Sequence, residues 1–190
     1  LASNYIPLKA FLGTSKIDSK VLDNLPDLKL ITTRSTGFDQ IDIEAAGKKG
    51  ILVANVPAYG EQTVAEYTIA LLLALSRKVT QAINKVKKER IFHSQGLEGF
   101  DLIGKTLGVV GTGHIGTHVI KIAKGFGMNV IAFDTLPNEK LSKDIGFQYK
   151  TLENLLKNSD IITLHVPLLP STNHLINLKK FRRFVEENKR

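Results

Sequence analysis

Cysteine and tryptophan are absent from this 190-residue chain, and methionine occurs once. Without cysteine there is no disulfide and no thiolate metal site, a composition compatible with a reducing cytosol. Long apolar runs are also missing. The most apolar segment, residues 64–75 (VAEYTIALLLAL), is interrupted by Glu66 and is too short to span a bilayer. The N-terminus shows no basic-then-apolar pattern of a signal peptide. A soluble, cytoplasmic protein with no metal site is therefore expected. The hydrophobic fraction of 43% is ordinary, enough for a core in one large domain or two small ones.

Charge is less evenly spread. The net charge is +8, and the lysines and arginines crowd into residues 77–90 and 179–190. Clustered basic residues can mark a surface for nucleic acid or another acidic partner. No aromatic residues interleave with the first cluster, and no zinc or RNA-binding motif accompanies it. Solvated helix faces explain both clusters better, and nucleic-acid binding is not expected.

The most informative stretch is residues 105–134, KTLGVVGTGHIGTHVIKIAKGFGMNVIAFD. A short apolar run at 107–110 suits a strand buried on both faces. Gly111, Gly113 and Gly116 then form a G-x-G-x-x-G turn. Ile115, Val119, Ile122, Ala123 and Phe126 recur at the spacing of one helix face, and Gly125 and Gly127 bracket the helix end. A second strand at 128–133 closes on Asp134. Each glycine of the turn has its own physical role. Gly111 permits the sharp turn, Gly113 leaves room for a pyrophosphate, and Gly116 lets helix and strand pack closely. The helix N-terminus presents unpaired N–H groups to the phosphates. Asp134, eighteen residues after Gly116, is placed to accept hydrogen bonds from a ribose 2′-OH. A carboxylate there repels a 2′-phosphate, so the expected cofactor is NAD rather than NADP.

The flanking sequence alternates strand and helix, which argues for an α/β protein with a parallel sheet. Residues 10–12 hint at a strand, and Asp18 suits the N-cap of a short helix ending before Pro26. Strands are expected at 28–32 and 51–54, with a helix at 41–49 between them. One long helix is expected from about Glu61 to Phe92, its apolar first half buried between domains or subunits and its basic second half exposed. Beyond Asp134 no element is read before Gly146. A short strand at 146–149, a helix at 151–157 capped by Thr151 and a buried strand at 161–166 follow.

These segments resemble the NAD-dependent D-isomer-specific 2-hydroxyacid dehydrogenases. The likeness rests on TTRSTGFDQIDI, GILVANVPAYGEQTVAEYTIALLLALSR, TLGVVGTGHIGTHV, NVIAFD and SDIITLHVPLLPSTNHLIN, which run in the family's order over roughly residues 17–177. The resemblance implies a Rossmann-type doubly wound parallel sheet plus a partial flavodoxin-like substrate domain. Residues 1–60 would form part of the substrate domain and 61–104 an interdomain helix and connection. Residues 105–177 would form the first half of the NAD-binding domain, followed by a basic segment at 178–190. It also implies a homodimer and a small 2-oxo or 2-hydroxy acid as substrate. Carried over residue by residue, it assigns the pyrophosphate to the backbone of His114 and Ile115 beside Gly111, Gly113 and Gly116, and the adenosine ribose to Asp134. His165, Val166 and Pro167 would wall the adenine side, with Thr172 in the loop behind. Ser35, Thr36 and Gly37 would hold the substrate carboxylate on backbone N–H groups; from the residues alone this segment reads as an ordinary turn. Tyr59 and Thr63 would line the substrate and nicotinamide side.

The family's chemistry also needs an Arg to orient the substrate and a His–Glu pair as acid and base. Those motifs lie downstream of the HVP segment, whereas this chain leaves the pattern after Asn177 and ends in LKKFRRFVEENKR. Arg182 and Arg183 are followed by Phe184 rather than Gly, and His93, His118 and His174 read as surface or cap residues. No catalytic residue is assigned, and the chain is expected to lack the catalytic half of a longer dehydrogenase. The competing expectation is a non-catalytic NAD-sensing module whose basic segments bind an acidic partner.

Overall fold

A computed structural model describes residues 16–90 and 92–187, so the strand suggested at 10–12 lies outside the described residues. The chain divides into two compact units, Leu1–Gly60 and Glu61–Arg190.

In the first unit, α1 (Ser19–Asp23) begins at Asp18, whose carboxylate accepts from the Val21 N–H, and α2 (Ile43–Lys48) begins in the same way at Asp42. Each cap satisfies a backbone donor that the first helical turn leaves free. Strands β1 (Leu30–Thr32) and β2 (Leu52–Ala54) pair in parallel, with Ile31 opposite Val53. Leu22, Ile31, Ile41, Ala46 and Ile51 are buried with Ile17 between these elements.

The second unit opens with α3 (Glu61–Ser76) and α4 (Val79–Lys87). The expected single long helix is thus broken. Lys78, at the break, is in the left-handed region with φ 51°. The cause is a contact distant in sequence. The Ser76 carbonyl accepts from the Phe100 N–H, and Gly99 lies so close that a Cβ there would stand 2.0 Å from the Ser76 oxygen. The returning chain crosses the helix at this point, and the Arg77–Asp101 ion pair at 2.8 Å fastens the crossing on the surface. Ala65 and Ile69 are buried with Leu72 and Leu73 beside them, whereas Val64, Tyr67, Leu71 and Leu75 are exposed. The first half is therefore covered on one face only.

A four-stranded parallel sheet follows, in the order β5-β4-β3-β6. The strands are β3 (Thr106–Val110), β4 (Asn129–Phe133), β5 (Gln148–Tyr149) and β6 (Ile161–Leu164). Three helices connect them: α5 (His114–Gly125), α6 (Glu139–Ile145) and α7 (Leu152–Asn158). Strand β3 is central, and its alternation explains its composition. Leu107 and Val109 enter the core shared with α3 and α5, while Val110 joins Leu155 and Leu156 of α7 on the other face. Gly108 also faces α7, where a Cβ would meet Ser159 Oγ at 2.2 Å and Leu155 Cδ2 at 2.6 Å. Helices on both faces account for the unbroken apolar run. Strand β6 has only β3 as a neighbour among the described strands. Its residues are half-buried, with Leu164 exposed, rather than fully buried as expected. Helix α8 (Leu178–Glu187) packs on α7.

Candidate functional site

Strand order places the site. In local terms β3, β4, β5 and β6 are the first to fourth strands of the sheet, arranged 3-2-1-4. The connection from β3 runs to β4 on one side, whereas β6 lies on the other side of β3. That reversal makes a crevice beyond the carboxyl ends of β3 and β6, the place where doubly wound sheets take ligands.

The glycines occupy this crevice. Gly111 follows β3 with φ 93°, and a Cβ on it would lie 2.6 Å from the His165 carbonyl oxygen and 2.9 Å from Val166 Cγ1. The turn is thus pinned against the end of β6, where the His165 N–H donates to the Val110 carbonyl at 2.7 Å. Gly116 meets the turn from the helix side: a Cβ there would stand 2.0 Å from the Gly111 carbonyl oxygen. Gly113 is different, with nothing within 4 Å of its Cβ position. It is also the N-cap of α5, and no side chain caps that helix, whereas Asp18, Asp42, Asn138 and Thr151 cap α1, α2, α6 and α7. Among the described residues the first-turn N–H groups of His114, Ile115 and Gly116 have no acceptor, which leaves them for an external one. The exposed His114 ring stands 3.5 Å from Glu61 at the start of α3. An uncapped helix start over an open glycine fits a pyrophosphate.

Asp134 stands at the end of β4 beside this turn. Its Oδ2 accepts from the Thr112 N–H at 2.7 Å and the Thr112 hydroxyl at 3.0 Å, and its Oδ1 accepts from the Leu136 N–H at 3.0 Å. Partial burial raises the pKa of the carboxyl. The hydrogen bonds from the Leu136 N–H, from the N–H and hydroxyl of Thr112 and from the Thr135 N–H outweigh that effect and hold it below the usual Asp value. The group is a carboxylate at neutral pH.

His165 is half-buried, and desolvation pushes its imidazole pKa down, so the ring is neutral. Its Nε2 lies 2.8 Å from the Thr163 hydroxyl. Val166 is half-buried and Pro167 exposed. The Thr172 hydroxyl donates to the Pro167 carbonyl at 2.5 Å and accepts from the Leu169 N–H at 2.8 Å, closing the following loop. Gly111, Asp134, His165 and Val166 are thus brought together with the start of α5. Thr163, Thr112 and Tyr149 join this neighbourhood without having been read from the sequence.

In the first unit, Ser35, Thr36 and Gly37 form the loop after β1. The Ser35 hydroxyl donates to the Gly37 carbonyl at 2.6 Å, Thr36 is tied to the Val56 carbonyl, and the Asn55 side chain donates to the Thr36 carbonyl at 2.8 Å. These bonds employ the loop's side chains and carbonyls. Among the described residues none accepts from the backbone N–H groups of Ser35, Thr36 or Gly37. Tyr59 is exposed at the end of this unit, and Thr63 is exposed in the first turn of α3.

Comparison with known proteins agrees with this geometry. Residues 69–188 match the model for the D-isomer specific 2-hydroxyacid dehydrogenase, NAD binding domain. The chain is 39% identical over 175 residues to a glyoxylate reductase of Korarchaeum cryptofilum, covering 90% of this chain and 53% of the relative. It is 40% identical over 156 residues to the D-lactate dehydrogenase of Escherichia coli, covering 82% and 47%. Among solved structures, D-lactate dehydrogenase from Aquifex aeolicus complexed with NAD and lactic acid superposes with a TM-score of 0.83 at 40% identity, over 92% of this chain and 52% of that one. The chain spans about half the length of the relatives it matches. With the family model matched over most of its length, the chain belongs to the D-isomer specific 2-hydroxyacid dehydrogenases.

Proposed function

We propose that the whole protein is an NAD-dependent D-2-hydroxyacid dehydrogenase acting on a small 2-oxo or 2-hydroxy acid. The observation that carries this reading is the uncapped start of α5 over Gly113, at the point where the strand order reverses, with the Asp134 carboxylate beside it. NAD, when bound, carries the hydride exchanged with C2 of the acid. The chain's own residues bind and orient. The N–H groups of His114, Ile115 and Gly116 hold the pyrophosphate, Asp134 holds the adenosine ribose, and His165, Val166 and Pro167 wall the adenine side, backed by Thr172. The N–H groups of Ser35, Thr36 and Gly37, which have no acceptor among the described residues, are suited to a substrate carboxylate, and Tyr59 and Thr63 belong to the substrate and nicotinamide side. Proton transfer to the carbonyl oxygen is assigned to no residue named here.

The domain division of the reading is a substrate part at 1–60, a connecting helix and loop at 61–104, the first half of the NAD domain at 105–177 and a basic segment beyond. A cytoplasmic homodimer fits a family of this kind, and no helix among the described residues is long and apolar enough to cross a membrane. The test is direct. Full-length protein mixed with NADH and glyoxylate, pyruvate or hydroxypyruvate should oxidise the cofactor, with NADH preferred over NADPH. Failure to bind NADH, or a preference for NADPH, would overturn the proposal.

A further inference from the structure

The neighbourhood of Asp134 contains a hydrogen-bond chain whose every proton position is forced. Tyr149, at the end of β5, lies 2.8 Å from the Thr112 hydroxyl, and either oxygen satisfies the donor geometry. Elimination decides between them. Thr112 has one hydroxyl proton, and the Asp134 carboxylate, 3.0 Å away, can only accept. Thr112 therefore donates to Asp134, and Tyr149 donates to Thr112. The Tyr149 oxygen in turn accepts from the Asn138 N–H at 3.2 Å, at the N-cap of α6. The chain runs Asn138 N–H to Tyr149, Tyr149 to Thr112, Thr112 to Asp134, with no donor facing a donor.

Its anchors are rigid. Thr112 is buried, its own carbonyl accepts from the Thr117 hydroxyl at 3.0 Å, and the preceding Gly111 N–H donates to the Phe133 carbonyl at 2.8 Å. The Tyr149 ring packs edge-on against Phe147, with centroids 5.1 Å apart. Thr112 gives Oδ2 of Asp134 two donors, and the Leu136 N–H donates to Oδ1 at 3.0 Å, so that the two oxygens are held by different segments. The carboxylate is thus held in one orientation from outside the dinucleotide.

We propose that Thr112 and Tyr149 are positioning residues for cofactor choice: they fix the Asp134 carboxylate where it accepts from an unmodified adenosine ribose and opposes a 2′-phosphate. The proposal rests on the dinucleotide reading of the site. It makes discrimination between NAD and NADP a property of three residues, Thr112 in the turn after β3, Asp134 just past β4 and Tyr149 on β5, rather than of Asp134 alone.

The experiment uses full-length wild type and the variants Thr112→Val, Thr112→Ser and Tyr149→Phe. Dissociation constants are measured for NADH, NADPH and reduced nicotinamide mononucleotide, which has no adenosine half. Thr112→Val keeps the side-chain shape and removes one hydrogen bond to a charged group. The preference for NADH over NADPH should fall about tenfold, the scale of such a bond. Tyr149→Phe should lower the ratio in the same direction by roughly threefold, as a bond between neutral groups would. Thr112→Ser should restore it, and binding of the mononucleotide should not change in any variant. A loss shared equally by all three ligands would mean a merely structural role and would overturn the proposal, as would an unchanged ratio in Thr112→Val. Failure of the dinucleotide reading is separate and visible, because the wild type would then bind neither NADH nor NADPH.

Discussion

Two glycines two positions apart are expected to fail in different ways when given the same methyl group. At Gly113, φ is −64°, a value any residue adopts, and nothing lies within 4 Å of the Cβ position. Alanine there meets no atom of the described residues within 4 Å. Its stability cost is that of a poorer N-cap, about 1 kcal/mol or less. On the dinucleotide reading proposed above, a pyrophosphate approaches the backbone through this open space, so the methyl should lengthen its hydrogen bonds to the first turn of α5. Losing one charge-assisted bond costs about 1.5–3 kcal/mol, which is a tenfold or greater rise in the NADH dissociation constant. At Gly111, alanine is forced into a left-handed conformation at φ 93°, at about 1–2 kcal/mol. It also drives a methyl to 2.6 Å from the His165 carbonyl, an overpacking worth about 1–3 kcal/mol more. That strain falls on the junction of β3 and β6. Thermal unfolding by circular dichroism and NADH binding by fluorescence separate the two cases. Gly113→Ala should melt close to wild type and bind NADH weakly, and Gly111→Ala should melt several degrees lower. Equal melting losses in both variants, or wild-type NADH affinity in Gly113→Ala, would refute the reasoning.

Three further outcomes follow from burial and titration. The Asp134 carboxyl titrates below its unfolded value of about 3.9, so its contribution to stability is complete above that pH and disappears as pH falls through the lower folded value. Asp134→Asn should flatten the acid limb of urea midpoints measured below about pH 4. His165 has a folded pKa depressed by burial, so stability declines as pH drops below the unfolded value of about 6.5 and levels off once the folded pKa is passed. His165→Gln should remove that part of the slope, and an unchanged slope would show that the ring is not desolvated. Leu155 is completely buried against Gly108 and Val110, and Leu155→Ala should cost about 2–5 kcal/mol in chemical unfolding.

Elements governed by local pattern are legible in the sequence, and those governed by distant contacts are not. The caps at Asp18 and Thr151 follow from one side chain and the next turn, and both accept the expected N–H. Strands β3 and β4 follow from apolar runs bounded by glycine and an acid. The break between α3 and α4 has no such signal, since residues 76–79 (SRKV) contain neither Gly nor Pro. It comes from the chain near Gly99 and Phe100 taking the Ser76 carbonyl, some twenty residues away in sequence. Helix α6 escapes the sequence reading although a signal exists: Asn138 accepts the Leu141 N–H at its start, and Gly146 ends it at φ 81°. Seven residues between an Asn and a Gly suffice for two turns, but Leu141 and Ile145 offer too short an apolar stripe to stand out.

The same division holds inside the site. Gly111, Gly113 and Gly116 lie within six consecutive residues, and their roles are set by one turn, so spacing alone carries them. Asp134 is reached through one strand–helix–strand unit of fixed length. Tyr149 is different, because it is thirty-seven residues from Thr112, and only the parallel pairing of β4 with β5 carries it there. That pairing sets Ala132 opposite Tyr149 and so delivers the ring beside the carboxyl end of β4, where Asp134 begins the next loop. A tyrosine at the end of a two-residue strand has no sequence mark that separates it from an ordinary half-buried aromatic. Its partner is hidden for another reason: Thr112 is the variable position between two required glycines, which makes it look like filler. A motif names the positions that the backbone needs. The residues between them are free to differ, and here one of them, Thr112, holds the Asp134 carboxylate through its N–H and its hydroxyl.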